Sequence, residues 1–114
     1  MKTIQKADST RYTYRVIWSA EDEEFVGTCA EFPRLSWLAE TQGEALVGIC
    51  DLVADVIEDL VSNGEPVPQP VSERKFSGKF QVRISPMLHR ELAIKAAEEN
   101  ISLNRLIGTK LASL

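Results

Sequence analysis

Lys79-Phe80-Gln81-Val82-Arg83-Ile84-Ser85-Pro86 alternates strictly and then stops. Lys79, Gln81 and Arg83 share one face of an extended chain, and Phe80, Val82 and Ile84 share the other. That period of two predicts a half-buried β-strand. Ser85-Pro86 reads as a helix N-cap followed by a first-turn proline. A helix is expected from Pro86 to about Glu99, with Leu88, Leu92 and Ala96 four apart and Asn100 in the left-handed C-cap position. Ser102 caps a further helix whose apolar stripe is Leu103, Leu106, Ile107 and Leu111. Gly108 interrupts that helix, at up to about 1 kcal/mol unless close packing needs it.

A single strand followed by two helices leaves its backbone N–H and C=O groups without a ladder. The economical solution is an antiparallel pairing with a second copy across a two-fold axis. Phe80, Val82 and Ile84 would then face the helices, and Lys79, Gln81 and Arg83 would emerge twice over on the outside. A two-stranded ribbon fits the DNA major groove, where Arg and Lys suit guanine and Gln suits adenine. Ser102, Leu103 and Asn104, at a helix N-terminus, offer backbone N–H groups to a phosphate. Arg74, Lys75 and Arg105 add positive charge.

Upstream lies Glu65-Pro66-Val67-Pro68-Gln69-Pro70-Val71, whose alternating prolines favour extended polyproline II and predict a semi-rigid linker. Before it, Thr41-Gln42-Gly43-Glu44 is a capping-box sequence opening a long helix that runs to about Asn63, with Gly64 at the left-handed C′ position. At 100° per residue, Glu44, Asp51, Asp55, Glu58 and Asp59 occupy one narrow arc. The remaining apolar arc is wider than one sheet face needs. It predicts a second buried surface, against a sister subunit, a partner or the tail. Residues 12–40 read as a three-stranded antiparallel meander: Tyr12 to Ser19, an acidic turn at Glu21–Glu24, Phe25 to Ala30, and Leu35 to Ala39. Three divisions follow: residues 1–64, a linker at 65–75, and a tail at 76–114.

Charge divides at the same place. Residues 1–70 carry thirteen acidic side chains against five basic, a net −8; residues 71–114 carry four against eight, a net +4. A basic tail suits nucleic acid and an acidic front repels it. Among 114 residues, 44% are hydrophobic and 26% charged, a globular and not a disordered composition. The polar opening MKTIQKADSTRY predicts no secretory signal. Asp51, Asp55, Glu58 and Asp59 exclude Ala45–Val61 as a membrane span. Two cysteines and one histidine make neither a disulfide framework nor a zinc site, so no cofactor or metal is expected, in a reducing cytoplasm.

These segments together resemble one family. Lys79 to Pro86, Leu88-His89-Arg90-Glu91-Leu92 and Ile101 to Ile107 are similar to a ribbon-helix-helix DNA-binding domain, and more narrowly to the tail of HicB-type antitoxins. Tyr14 to Ser19, Phe25-Val26-Gly27, Glu31-Phe32-Pro33 and Thr41 to Leu46 resemble the front of the same family. The resemblance spans roughly residues 12 to 112. It implies an α+β protein: a β-β-β-α domain like a partial ribonuclease H fold, a linker, and a β-α-α tail that dimerises and binds DNA. It implies an antitoxin of a type II toxin–antitoxin system, one that blocks a small mRNA-cleaving, HicA-like toxin and represses its own operon. Carried over by position, Lys79, Gln81 and Arg83 would face bases, and Ser102, Leu103, Asn104 and Arg105 would lie near phosphate. Leu35 to Glu40 departs from the family in lacking the glycine-rich turn many members have there.

Asp51, Asp55 and Asp59 repel one another at i, i+4 spacing. A basic RNA-binding toxin would relieve that repulsion and be steered to the face they form with Glu58. The alternative function is a free-standing ribbon-helix-helix repressor whose front domain oligomerises or senses a ligand. A ribonuclease H site needs carboxylates converging on two metal ions. No strand centre carries one here, so catalysis is not expected. His89 reads as surface or packing, Trp18 and Trp37 as core or interface aromatics, and Cys29 and Cys50 as small buried hydrophobes.

Overall fold

A computed structural model describes residues 9–114; the reading of the opening segment falls in part outside them. Two compact units divide between Phe76 and Ser77. The first is an antiparallel sheet of β1 (Tyr14–Ser19), β2 (Glu24–Cys29) and β3 (Ser36–Ala39), in that spatial order, followed by α1 (Gln42–Ser62). The second holds α2 (Pro86–Glu98) and α3 (Leu103–Ala112). The fold is α+β.

Register determines which side chains meet α1. Tyr14 pairs with Cys29, Val16 with Gly27 and Gly27 with Trp37. A Cβ on Gly27 would meet the Ala45 carbonyl oxygen at 2.6 Å and Ile49 Cγ2 at 2.9 Å, so glycine permits close helix–sheet approach here. Gly48 does the same for the Trp37 indole, which occupies the space a Cβ would need. Tyr12, Cys29, Ile49, Val53 and Ile57 form the buried cluster, with Tyr14, Phe32, Leu35, Leu52 and Val67 against it.

Tyr12 lies outside β1, although its alternation extends the strand pattern. Beside it, the Thr13 N–H donates to Glu31, and the Thr13 carbonyl accepts from Ala30. Trp18 and Trp37, at 53% and 44% exposure, are not core residues; Trp18 instead packs edge-on against Phe25, with ring centroids 5.1 Å apart. Thr41 caps α1 by accepting the Glu44 N–H at 3.1 Å. The Glu44 carboxylate takes the Thr41 hydroxyl, where a full capping box would return to the backbone. Asn63 closes the helix and Gly64 follows at φ 68°. Leu46, Val47 and Val61 remain exposed, so part of the wide apolar arc has no cover within this unit.

Residues 65–75, read as a linker, belong with the first compact unit. Val67 packs against the core, and the Tyr12 hydroxyl donates to the Pro68 carbonyl at 2.6 Å. Polyproline geometry leaves its carbonyls free, and a neighbouring surface can use them.

In the second unit, Ser85 and Ser102 accept the N–H groups of Leu88 and Arg105 as expected N-caps. Asn100 adopts φ 58° between the helices. Nothing lies within 4 Å of where a Gly108 Cβ would stand, so close packing in this unit does not require that glycine. The expected strand at 79–84 is not formed in the single chain. Its backbone has no ladder there, and a strand needs one.

Candidate functional site

The strict alternation at 79–84 leaves two kinds of side chain in water. Lys79, Gln81 and Arg83 are exposed. So are Phe80 and Val82, at 74% and 65%, together with Ile84. Met87, Leu88 and Ile94 of α2 and Leu111 of α3 are exposed as well, and only Ala96 and Leu106 are buried in this unit. A tail with that much open apolar surface lacks a core of its own.

At the head of α3, Ser102 spends its hydroxyl on the Arg105 N–H at 3.0 Å. The first-turn N–H groups of Leu103 and Asn104 have no intrahelical partner, by helix geometry. Asn104 and Arg105 are exposed and Leu103 is half-buried. The site residues of the tail therefore fall in two places along this unit, 79–83 and 102–105.

On the first unit, Asp51, Asp55, Glu58 and Asp59 all lie exposed on α1, opposite buried Ile49, Val53 and Ile57. Three of them stand at i, i+4 and repel. Val47, Gly48 and the Trp37 indole border the N-terminal end of this face, in a shallow groove that Glu44 and Asp51 complete. The sequence reading did not place Trp37 beside the acids. Gly48 on the helix is the residue that admits it.

Sequence reasoning also missed Glu31. Its side chain is buried, and four donors saturate its carboxylate. Oε1 accepts from the Thr13 N–H at 2.9 Å and the Cys29 thiol at 3.4 Å. Oε2 accepts from the Thr13 hydroxyl at 3.0 Å and the Val71 N–H at 2.8 Å. Burial alone would raise its pKa, but the N–H groups of Val71 and Thr13 outweigh burial and bring it down to about 2. Burial pushes the Cys29 thiol up to about 11, which keeps it a protonated donor. The quoted Glu31-Phe32-Pro33 is the one local signal at this position; nothing in it points forty residues ahead to Val71.

That depressed pKa makes the first unit acid-sensitive. The unfolded carboxyl titrates near 4.5, so the stabilisation is complete above that value and is lost as pH falls through about 2. Acid unfolding of the first unit, read by tryptophan fluorescence, is expected between these limits. Glu31→Gln should flatten this part of the profile. An unchanged profile would remove Glu31 from the account.

Elsewhere among the described residues, no three His, Cys, Asp or Glu side chains converge in a way that could hold a metal ion. No described helix is long and apolar enough to cross a membrane. No curated protein and no solved structure gives a significant match to the chain. Residues 62–111 match the model of the HicB family, a match that takes in both candidate DNA-contact segments and both helices of the tail. That similarity points to a protein related to toxin–antitoxin systems. Over residues 62–111 the chain is similar to the HicB family.

Proposed function

We propose that this protein is a non-catalytic, cytoplasmic antitoxin. Its first unit, with a partial ribonuclease H-like arrangement, binds and inhibits a small basic mRNA-cleaving toxin. Its tail forms a ribbon-helix-helix dimer that represses the operon encoding both. The observation that carries the reading is the tail's exposed apolar face. Phe80, Val82 and Ile84 have nothing to pack on in one chain, while Lys79, Gln81 and Arg83 alternate with them. Pairing two such segments antiparallel supplies the missing ladder, covers the apolar face, and presents six polar side chains to a major groove. Leu103, Asn104 and Arg105 would hold the phosphate backbone and set the register.

Co-expression with the product of an adjacent small basic reading frame tests the whole reading. Rescue from growth arrest supports it. A neighbour that is harmless alone, with the tail still binding upstream DNA, would favour the repressor without a toxin. The acidic face has its own test. Lysine at both Asp55 and Asp59 is expected to weaken toxin binding by tenfold or more at low salt, mainly through a slower on-rate. Toxin affinity equal to wild type would take this face out of the interface.

A further inference from the structure

We infer that Glu31 is a clasp that fixes the length of free chain leading to the tail. The strap it holds is Pro66 to Arg74. Besides Val67 against the core, these polar contacts among the described residues join it to the sheet side of the first unit. Val71 N–H donates to Glu31 at 2.8 Å, and Tyr12 OH to the Pro68 carbonyl at 2.6 Å. Arg11 pairs with Glu73 at 3.0 Å, and the Ser72 hydroxyl reaches the Arg11 carbonyl at 3.4 Å. The last two are exposed, and such contacts contribute little. The Glu31–Val71 bond is different, because it joins a buried charge to a backbone donor.

The carboxylate's position explains why one residue can govern the strap. Thr13 precedes β1, and Cys29 ends β2. Glu31 is therefore held by both strands before it reaches Val71. Oε1 takes the Thr13 N–H and the Cys29 thiol, and Oε2 takes the Thr13 hydroxyl beside the strap N–H of Val71. Around Val71 the strap winds into a short 3-10 turn, Val71–Glu73, closed by Arg74. Arg74 in turn donates from Nε to the Gln69 carbonyl at 3.0 Å. The strap is thus internally bonded as well as docked, and leaves as a unit. With it docked, the chain between strap and α2 is residues 75–85; with it released, that chain begins just after Gly64. Docking roughly halves the tether, whatever ligand the tail binds. Tether length sets the effective concentration of one unit at the other's ligand.

The test uses the full chain. Glu31→Gln keeps the shape but turns an amide donor toward N–H donors. Its Val71 amide is expected to exchange at least about tenfold faster than in wild type, the loss of one charged hydrogen bond. Relaxation of the amides of Val67, Gln69, Val71, Ser72 and Glu73 should change from that of the sheet to that of a flexible segment. Cleavage after Glu73 by a Glu-specific protease should accelerate, while the β1–β2 amides stay protected. Val71→Pro removes the strap's donor without touching the sheet. Pro70 at ψ 137° already has the extended geometry that a following proline needs. That variant decides the matter if Glu31→Gln does not fold, and the same faster cleavage is expected of it. A strap as rigid and as resistant as wild type in Val71→Pro, or in a folded Glu31→Gln, would overturn the clasp.

Discussion

Replacing Arg83 with alanine is expected to abolish sequence-specific operator binding while leaving the tail dimer assembled. Arg83 is exposed and stands on the polar side of the alternation, so its loss removes no apolar contact. In a two-fold ribbon one substitution deletes two guanidinium groups. Each bidentate arginine–guanine contact discriminates by roughly 1–3 kcal/mol. Losing a symmetric pair therefore weakens specific binding on the order of thirtyfold to ten-thousandfold. Binding that remains should be non-specific, steeply salt-dependent and carried by phosphate contacts, because counterion release does not depend on sequence. Val82→Asp is the contrasting variant. It places a charge on the face that Phe80 and Ile84 share, and both dimer and DNA binding should fail together. A footprint like wild type from Arg83→Ala would mean that the polar face is only solvated.

How far the chain was legible depends on how local each feature's cause is. Helix limits were readable because caps act within four residues: Thr41, Ser85 and Ser102 each accept an N–H three positions on. Asn100 was readable because a left-handed residue between two helices favours Asn or Gly. The meander followed from alternation and from an acidic turn in which Glu23 takes φ 54°. Glu31 and its strap were not readable, because the Val71 donor lies forty residues away and proline spacing states only that a segment is extended. The exact place of Trp37 was not readable for a related reason. An indole reads as core or interface by its size, and only the register that brings it over Gly48 shows that half of it stays in water.

The segment 79–84 is the opposite case, legible in sequence and unformed in the single chain. Its alternation is local, but in the proposed ribbon the strand would take its hydrogen bonds from a second copy. The same segment explains why the two kinds of site call for different tests. In the proposed ribbon, tail contacts depend on assembly, so their variants are to be read on the dimer. The acidic face of α1 belongs to a unit that has its own core, around Ile49, Val53 and Ile57, and can be read on a folded monomer.

That core is most sensitive at Gly27, and Gly27→Ala is expected to destabilise the first unit strongly. Five other glycines lie in the chain, and they differ in what a methyl group would meet. Gly43 and Gly108 face open space, and Gly64 and Gly78 have open space but positive φ. Gly48 would displace the Trp37 indole, which is half in water and can swing aside. Gly27 has no such outlet. Its Cβ would stand 2.6 Å from the Ala45 carbonyl oxygen and 2.9 Å from Ile49 Cγ2, and the first is helix backbone. Relief requires α1 to lift off the sheet along its buried row, which loosens Ile49, Val53 and Ile57 together. Overpacking of this kind destabilises by about 1–3 kcal/mol, and the backbone clash places this site at the upper end. The urea midpoint of the first unit should fall accordingly, with the helical signal of the tail unchanged. Truncating the second obstacle in Gly27→Ala/Ile49→Ala should not restore stability, because the Ala45 carbonyl stays where it is and a cavity opens beside it. A wild-type midpoint for Gly27→Ala would mean that α1 is not held at the distance this register sets, and that the acidic face it carries has no fixed place on the sheet.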